Sequence, residues 1–307
     1  MADGVLLTAH GTVETLEELP DFLARIRRGR PASPALIEEV TRRYRVIGGS
    51  PLQETTLAVA RRLEAALGVP VAVGMRLSRP GIADAVAELR SRGVTRALSL
   101  PLAPQSVHVY HAAVRQAAGG LALVEAPSWG GEPAFLQALS SKIDDALAEL
   151  APERRGEAAL LLTAHSLPMS AVAAGDPYEE QLRAMCDGLV ATRAERRRVV
   201  VGFQSQGMDG GAWLGPDVSA CLTELARAGV RDVVVSAVGF VAEHIETLSD
   251  LDVEARALAA ALGLGFVRAR CLDADPMFVD ALAVLARRHL AQGRDSAVSV
   301  EATPARR

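Results

Sequence analysis

Cysteine is scarce in this 307-residue chain: Cys186, Cys221 and Cys271 are the only three, widely separated. An odd number at such spacing fits neither a disulfide framework nor a paired-cysteine metal site, and points to a reducing compartment. Long apolar runs are missing as well. The most apolar stretch, Val233 to Ala242, falls far short of the roughly 18 residues a membrane-spanning helix needs and reads as a buried strand. The N-terminus opens directly on a strand, without a basic region leading into an apolar one, so the expectation is a cytoplasmic protein with no signal peptide. Charge of one sign is not in excess either. A net charge of −4 with 23% charged residues, and no block of Lys/Arg, argues against a nucleic-acid partner. The two densest basic clusters, Arg25-Arg27-Arg28-Arg30 and Arg193-Arg196-Arg197-Arg198, are short, and a solvated face accounts for most such clusters. Glycine-rich phosphate loops, a serine-nucleophile elbow and a zinc-protease helix motif are all absent. Gly48-Gly49-Ser50-Pro51-Leu52 does not follow a strand; it reads as a helix start, with Ser50 as cap and Pro51 at the first helical position.

What is present is a repeated unit. Leu6-Leu7-Thr8-Ala9-His10 recurs unchanged as Leu161-Leu162-Thr163-Ala164-His165. A second echo follows in the same order. Glu88-Leu89 with Gly93-Val94 leads into Ala97-Leu98-Ser99-Leu100, and Glu224-Leu225 with Gly229-Val230 leads into Val233-Val234-Val235-Ser236. Two ordered echoes favour a duplicated domain over chance. Between them, near-continuous apolar strands alternate with amphipathic helices, the pattern of parallel sheets covered on both faces. Helices are expected from Ser50 to about Ala66, Pro80 to Leu89, Glu132 to Leu150, Pro216 to Ala228 and Glu254 to Leu262. The fold expected is two similar, doubly wound α/β lobes. They divide as residues 1–150 and 151–275, with a C-terminal helix over 276–292 packing back on them and a disordered polar tail over 293–307.

In open parallel sheets, ligands bind outside the carboxyl ends of the strands. His10, Pro101 to Pro104, His165, Phe203-Gln204-Ser205 and Gly239-Phe240 all fall at such ends, around one expected cleft. Histidine is itself scarce, six in all, which gives weight to one placed at a strand tip. Beyond the strand ending near Val238 lie His244, Glu246, Asp250 and Glu254. The last three are spaced by four, so on a helix they form one stripe of carboxylates, which repel unless something positive lies against them. A hydrated divalent cation suits that role; a solvated acidic face is the plain alternative. From the residues alone, the cleft suits proton abstraction combined with the handling of a divalent metal.

Longer segments carry a resemblance. Thr163-Ala164-His165-Ser166-Leu167-Pro168 with Gly175-Asp176-Pro177-Tyr178, and Gly239-Phe240-Val241-Ala242-Glu243-His244-Ile245-Glu246-Thr247-Leu248, resemble the signatures of ferrochelatases. Tyr44-Arg45, Ile47 to Leu52, Ser128-Trp129, Phe203 to Gly207 and Trp213 to Pro216 support it, over about residues 4 to 290. The resemblance implies two Rossmann-like lobes of the chelatase fold with a porphyrin between them, and Fe2+ insertion near the end of haem synthesis with loss of two pyrrole protons. It implies His165 as base or metal ligand, Glu246 as its partner, and Asp250 and Glu254 as a path for hydrated metal. Iron is a substrate there, and neither a tightly bound organic cofactor nor an iron–sulfur cluster is expected, the three scattered cysteines speaking against the latter. The compact members of the family imply a monomer with no integral membrane segment.

Ile26-Arg27-Arg28-Gly29-Arg30 is similar to the branch that metallates coproporphyrin III, whose four propionates exceed the two of protoporphyrin IX. Arginine matches carboxylates in bidentate geometry. Arg27, Arg28 and Arg30, together with His10, Tyr44, Ser50, Gln105 and Trp213, are therefore the expected porphyrin contacts. Two positions depart from that branch: His10 stands where tyrosine is usual, and Gln105 where histidine is common. The rival expectations are a sirohydrochlorin cobalto- or ferrochelatase, suggested by His10-Gly11, and a non-catalytic porphyrin or haem carrier. A periplasmic metal-binding protein also has two α/β lobes, but a signal peptide would be expected.

Overall fold

The computed structural model describes residues 2–207 and 211–301. The first lobe places strands β1 (Asp3–Ala9), β2 (Val71–Met75), β3 (Arg96–Pro101) and β4 (Ala122–Glu125) in one parallel sheet of order β2-β1-β3-β4. The same half of the chain carries α1 (Leu19–Ile26), α2 (Pro34–Ile47), α3 (Leu52–Leu67), α4 (Ile82–Ser91), α5 (Val107–Ala117) and α6 (Pro133–Ala148). A short α7 (Pro152–Arg155) leads to the second sheet. Its strands β5 (Ala159–His165), β6 (Val199–Gln204), β7 (Asp232–Ser236) and β8 (Gly265–Ala269) are all parallel, in the order β6-β5-β7-β8. With them come α8 (Met169–Ala173), α9 (Tyr178–Ala191), α10 (Val218–Arg227), a π-helix (Glu246–Ala255), α11 (Arg256–Ala261) and α12 (Pro276–Glu301).

The two sheets have the same topology, and the equivalence reaches single residues. Gly74 in β2 and Gly202 in β6 each leave room for the helix that follows: a Cβ would lie 2.8 Å from Ile82 Cα at the first and 2.9 Å from Cys221 Sγ at the second. Each strand then bonds to the turn before that helix, Met75 N–H to Pro80 O and Phe203 N–H to Pro216 O. The echo in the sequence is therefore an echo in space.

Alternate residues of each central strand enter different cores. Val5 and Leu7 join Leu160 and Leu162 in one continuous cluster between the sheets, whereas Leu6 faces α4 and Leu161 faces α10. Burial on both faces explains why the strands are apolar throughout rather than alternating. The layers exchange helices. α6 precedes the second sheet in sequence but packs on β7, β8 and α9, while α12 returns to cover α3, β3 and β4. The buried Arg96, paired with Asp3 at 2.7 Å, also donates to Leu290 O in α12. The lobes thus share a core and a pair of crossing helices.

Helix limits differ from the sequence expectation in identifiable ways. α4 and α10 begin two residues late because the capping groups lie inside the expected span: Asp84 accepts from Gly81 N–H, and Asp217 caps Ala220 N–H at 2.7 Å. Pro51, not Ser50, is the cap of α3; Ser50 Oγ accepts only a long 3.5 Å bond from Leu52 N–H. α12 continues to Glu301 through the expected disordered tail, since a lone glycine such as Gly293 weakens a helix without stopping it; residues 302–307 lie outside the described residues. The largest correction concerns the carboxylate stripe, which sits on a π-helix rather than an α-helix.

Candidate active site

In each lobe the chain leaves the central strand and the strand beside it in opposite directions, which opens a crevice at the carboxyl edge. His10 follows β1 at that edge and His165 ends β5 at the other. The loop after β7 crosses over the end of β5. Gly239 N–H donates to Thr163 O, and an added Cβ at Gly239 would lie 2.5 Å from Ala164 Cβ, so only glycine permits the crossing. That loop delivers Glu246 to His165, with Nδ1 2.9 Å from Oε2. His244 stands behind, its Nε2 3.8 Å from the same oxygen and its Nδ1 donating to Ala242 O at 3.1 Å. Tyr178 O–H donates to His165 O at 2.8 Å and steadies the base of the ring.

The electrostatics follow from these contacts. Burial alone pulls the His165 imidazole down, but the Glu246 carboxylate, by charge and by hydrogen bond, and Asp250 more than reverse it, so it titrates above an ordinary histidine. Burial pushes Glu246 up; His165 and His244 outweigh this and hold its carboxyl well below the usual range. With Glu246 ionised, His165 donates through Nδ1, and in the neutral ring Nε2 keeps a lone pair. His10 is the opposite case. Its surface is open, yet dense protein surrounds it, which places it on a cleft floor. Burial drives it down to about 4 against the pull of Glu246, with Arg76, His165 and His244 pushing the same way as burial. The electrostatic neighbours of His10 thus include both members of the pair on the other lobe.

The carboxylate stripe is not left to repel itself. Arg43 of α2 donates to Asp250 Oδ1 at 3.1 Å and lies 3.4 Å from Glu254 Oε1, while Glu39 accepts from Arg43 Nε at 2.9 Å. Part of the positive charge that the stripe demands is therefore supplied by the protein, which offsets the repulsion without cancelling it. Ser205, at a left-handed φ of 60°, donates to Asp250 Oδ2. Burial lifts Asp250 to about 6, with Glu246 and Glu254 adding to it and Ser205 and Arg43 restraining it.

The expected porphyrin contacts separate into groups. Tyr44 is buried, bonded to Thr12 Oγ1 at 2.9 Å, and packs with Val13, Leu19 and Phe22 against Ile245, the residue before Glu246. Gln105 is buried away from the cleft, its Nε2 3.0 Å from Met185 Sδ. Trp213 is half-buried against Gly207 and bridges Pro168, on the loop following His165. Arg27, Arg28 and Arg30 follow α1, whose Arg25 donates to Leu77 O beside Arg76, on the first lobe's side of the cleft. His111 is structural, held by Ser99 Oγ and Ala126 O at 2.8 Å each.

Sequence reasoning passed over Arg43, Arg76 and Tyr178 as site residues. Arg43 lies beside Tyr44, but nothing in its own segment signals a partner some 200 positions away. Glu243, in the same signature as Glu246, is a buried brace: it accepts from Arg268 Nη1 (2.9 Å), Thr247 Oγ1 (2.7 Å) and Cys271 N–H (3.0 Å).

Duplicated parallel lobes with histidines on facing sheet edges define a two-lobed α/β protein of the chelatase fold. The solved structure of SirB from Bacillus subtilis with Fe3+ is similar over 96% of this chain and 98% of that one, with a TM-score of 0.63 at 15% identity. The model of the ferrochelatase family matches residues 2–290. The ferrochelatase of Acidobacterium capsulatum is 38% identical over 92% of this chain and 93% of its own. The coproporphyrin III ferrochelatase of a Geobacillus species is 35% identical over 92% and 96%. The chain belongs to the ferrochelatase family.

Proposed function

We propose that this protein inserts Fe2+ into a porphyrin in haem biosynthesis, with His165 receiving the pyrrole protons, Glu246 as its partner and coproporphyrin III as the preferred macrocycle. The observation that carries the assignment is the 2.9 Å contact between His165 Nδ1 and Glu246 at the carboxyl edge of the second sheet. Metal insertion breaks two N–H bonds and releases two protons as the iron is bound by all four pyrrole nitrogens, with no change in oxidation state. Neutral His165 takes one proton at Nε2, the Glu246 carboxylate stabilises the imidazolium, and release of that proton to solvent frees the ring to take the second. Asp250, titrating at about 6 and four residues from Glu246, can exchange protons with solvent near neutral pH. His10 stays neutral on the opposite side, a Lewis base rather than a competing cation. A site complementary to a puckered ring exposes the nitrogen lone pairs and favours the transition state over the flat substrate.

Fe2+ is a substrate, and no tightly bound organic cofactor takes part. Asp250 and Glu254 form the approach for the hydrated cation, which must compete with Arg43 for them. Arg28 and Arg30, exposed after α1, and Arg27 beside them meet the propionates. Several relatives carry the name coproporphyrin III ferrochelatase, which supports the four-propionate substrate. Among the described residues, no helix is long and apolar enough to cross a membrane. The protein acts as a monomer in the cytoplasm, as its resemblance to the compact family members implies.

Anaerobic Fe2+ insertion into coproporphyrin III, protoporphyrin IX and sirohydrochlorin, with His165→Ala as control, tests this reading. Turnover of coproporphyrin that is lost in the variant is the expected result. A preference for protoporphyrin would discard the role of the arginines. Activity on sirohydrochlorin alone would overturn the substrate, and tight binding without turnover would make the protein a carrier.

A further inference from the structure

A ten-residue π-helix is rare and needs anchors outside itself. On the side toward β8 these are the Glu243 brace and Arg268, which donates to both Asp252 oxygens at 2.8 and 2.6 Å. On the side toward His165 they come from two consecutive residues at the tip of β6. Ser205 bonds Asp250, and Gln204 Nε2 donates to the Glu246 carbonyl at 2.8 Å.

Gln204 is tied to His165 as well. The two are register partners across β5 and β6, and Ser166 N–H donates to Gln204 O at 2.8 Å. One side chain and its own backbone therefore tie Glu246 to the strand end that carries His165, through the residue that follows it. The amide is 5% exposed, and its Oε1 has no hydrogen-bond partner. Packing alone would be better met by a methionine, which leaves no buried acceptor unsatisfied. Turning the amide over would set two acceptors against each other at Glu246 O, so only the observed orientation serves.

We infer that Gln204 is a positioning residue, which fixes the start of the π-helix against β5 and so sets the Glu246 carboxylate on His165. The inference rests on the proposed roles of that pair.

The test is Gln204→Met in the full chain, with Gln204→Asn, too short to reach Glu246 O, as the second variant should the first not fold. Expected are a kcat for Fe2+ insertion lowered roughly ten- to hundredfold, an unchanged KM for porphyrin, and a Tm equal to or above wild type. A crystal structure of the variant is expected to show the Glu246 carboxylate displaced from His165 Nδ1. An unchanged kcat, a loss confined to KM, or a retained His165–Glu246 contact would overturn the inference. A wild-type protein that metallates no porphyrin would instead defeat the proposed function, and the variant's crystal structure would still decide the placement of Glu246.

Discussion

The same five residues end the central strand of each lobe, yet the two histidines that close them are chemically opposite. His10 is driven down to about 4, and His165 is raised above an ordinary imidazole. The pentapeptides and the strand order are shared, so the difference arises from what each lobe hangs beyond its neighbouring strand. In the second lobe, the loop after β7 passes over Ala164 at Gly239 and sets Glu246 on the ring. In the first, the loop after β3 turns Gln105 inward to Met185, and burial together with Arg76 outweighs the more distant pull of Glu246. Duplication supplied two strand-end histidines; one acidic partner in hydrogen-bond contact raised one of them, while burial lowered the other.

The most severe way to break the asymmetry is Glu246→Gln. Without the carboxylate, His165 loses the group that raises it and becomes like His10; kcat should fall by roughly 10²–10⁴, measured by anaerobic metallation. Next comes Gly239→Ala, which places a methyl 2.5 Å from Ala164 Cβ and lifts the loop bearing Glu246. Overpacking of this kind costs about 1–3 kcal/mol, read by chemical denaturation, and should lower kcat with it. Arg43→Ala unties α2 from the π-helix. The loss in stability should be about 1 kcal/mol, since the arginine is partly exposed, and the titration of Asp250 should move above its present value of about 6.

The smallest effect sharpens the comparison through pH. His10 has a folded value below its unfolded one, so the native state binds fewer protons, and stability is lost as pH falls from about 6.5 towards 4. His165 is shifted the other way. Its contribution is fully present below 6.5 and is lost as pH rises through its higher folded value. Tm measured against pH should therefore show a shallower acid-side fall in His10→Asn and a shallower alkaline-side fall in His165→Asn. Equal slopes in the two variants would mean that the lobes do not differ as described.

Much of this was legible in the residues. The pentapeptide and the helix-to-strand echo marked the duplication, and the unbroken apolar strands marked sheets buried on both faces. His165 and Glu246 were legible too, one as a strand-tip histidine and the other as the head of an acidic stripe on the next loop. The stripe's partner was not, because a row of carboxylates demands a positive charge without saying whether a metal or a distant arginine provides it. Gln105 was singled out only because the resemblance places a histidine there, but the direction of a loop side chain depends on a partner far along the chain, here Met185.

The sequence by itself determined two doubly wound lobes, their carboxyl edges and the histidines standing there, because strand periodicity and glycine placement are local properties. Only the tertiary structure decided which histidine has an acidic partner, which arginine faces the stripe and which residues anchor the π-helix. Those outcomes depend on charges and hydrogen bonds between residues far apart in the chain, such as Arg43 with Asp250 and Gln204 with Glu246, whose strength is set by distance and burial.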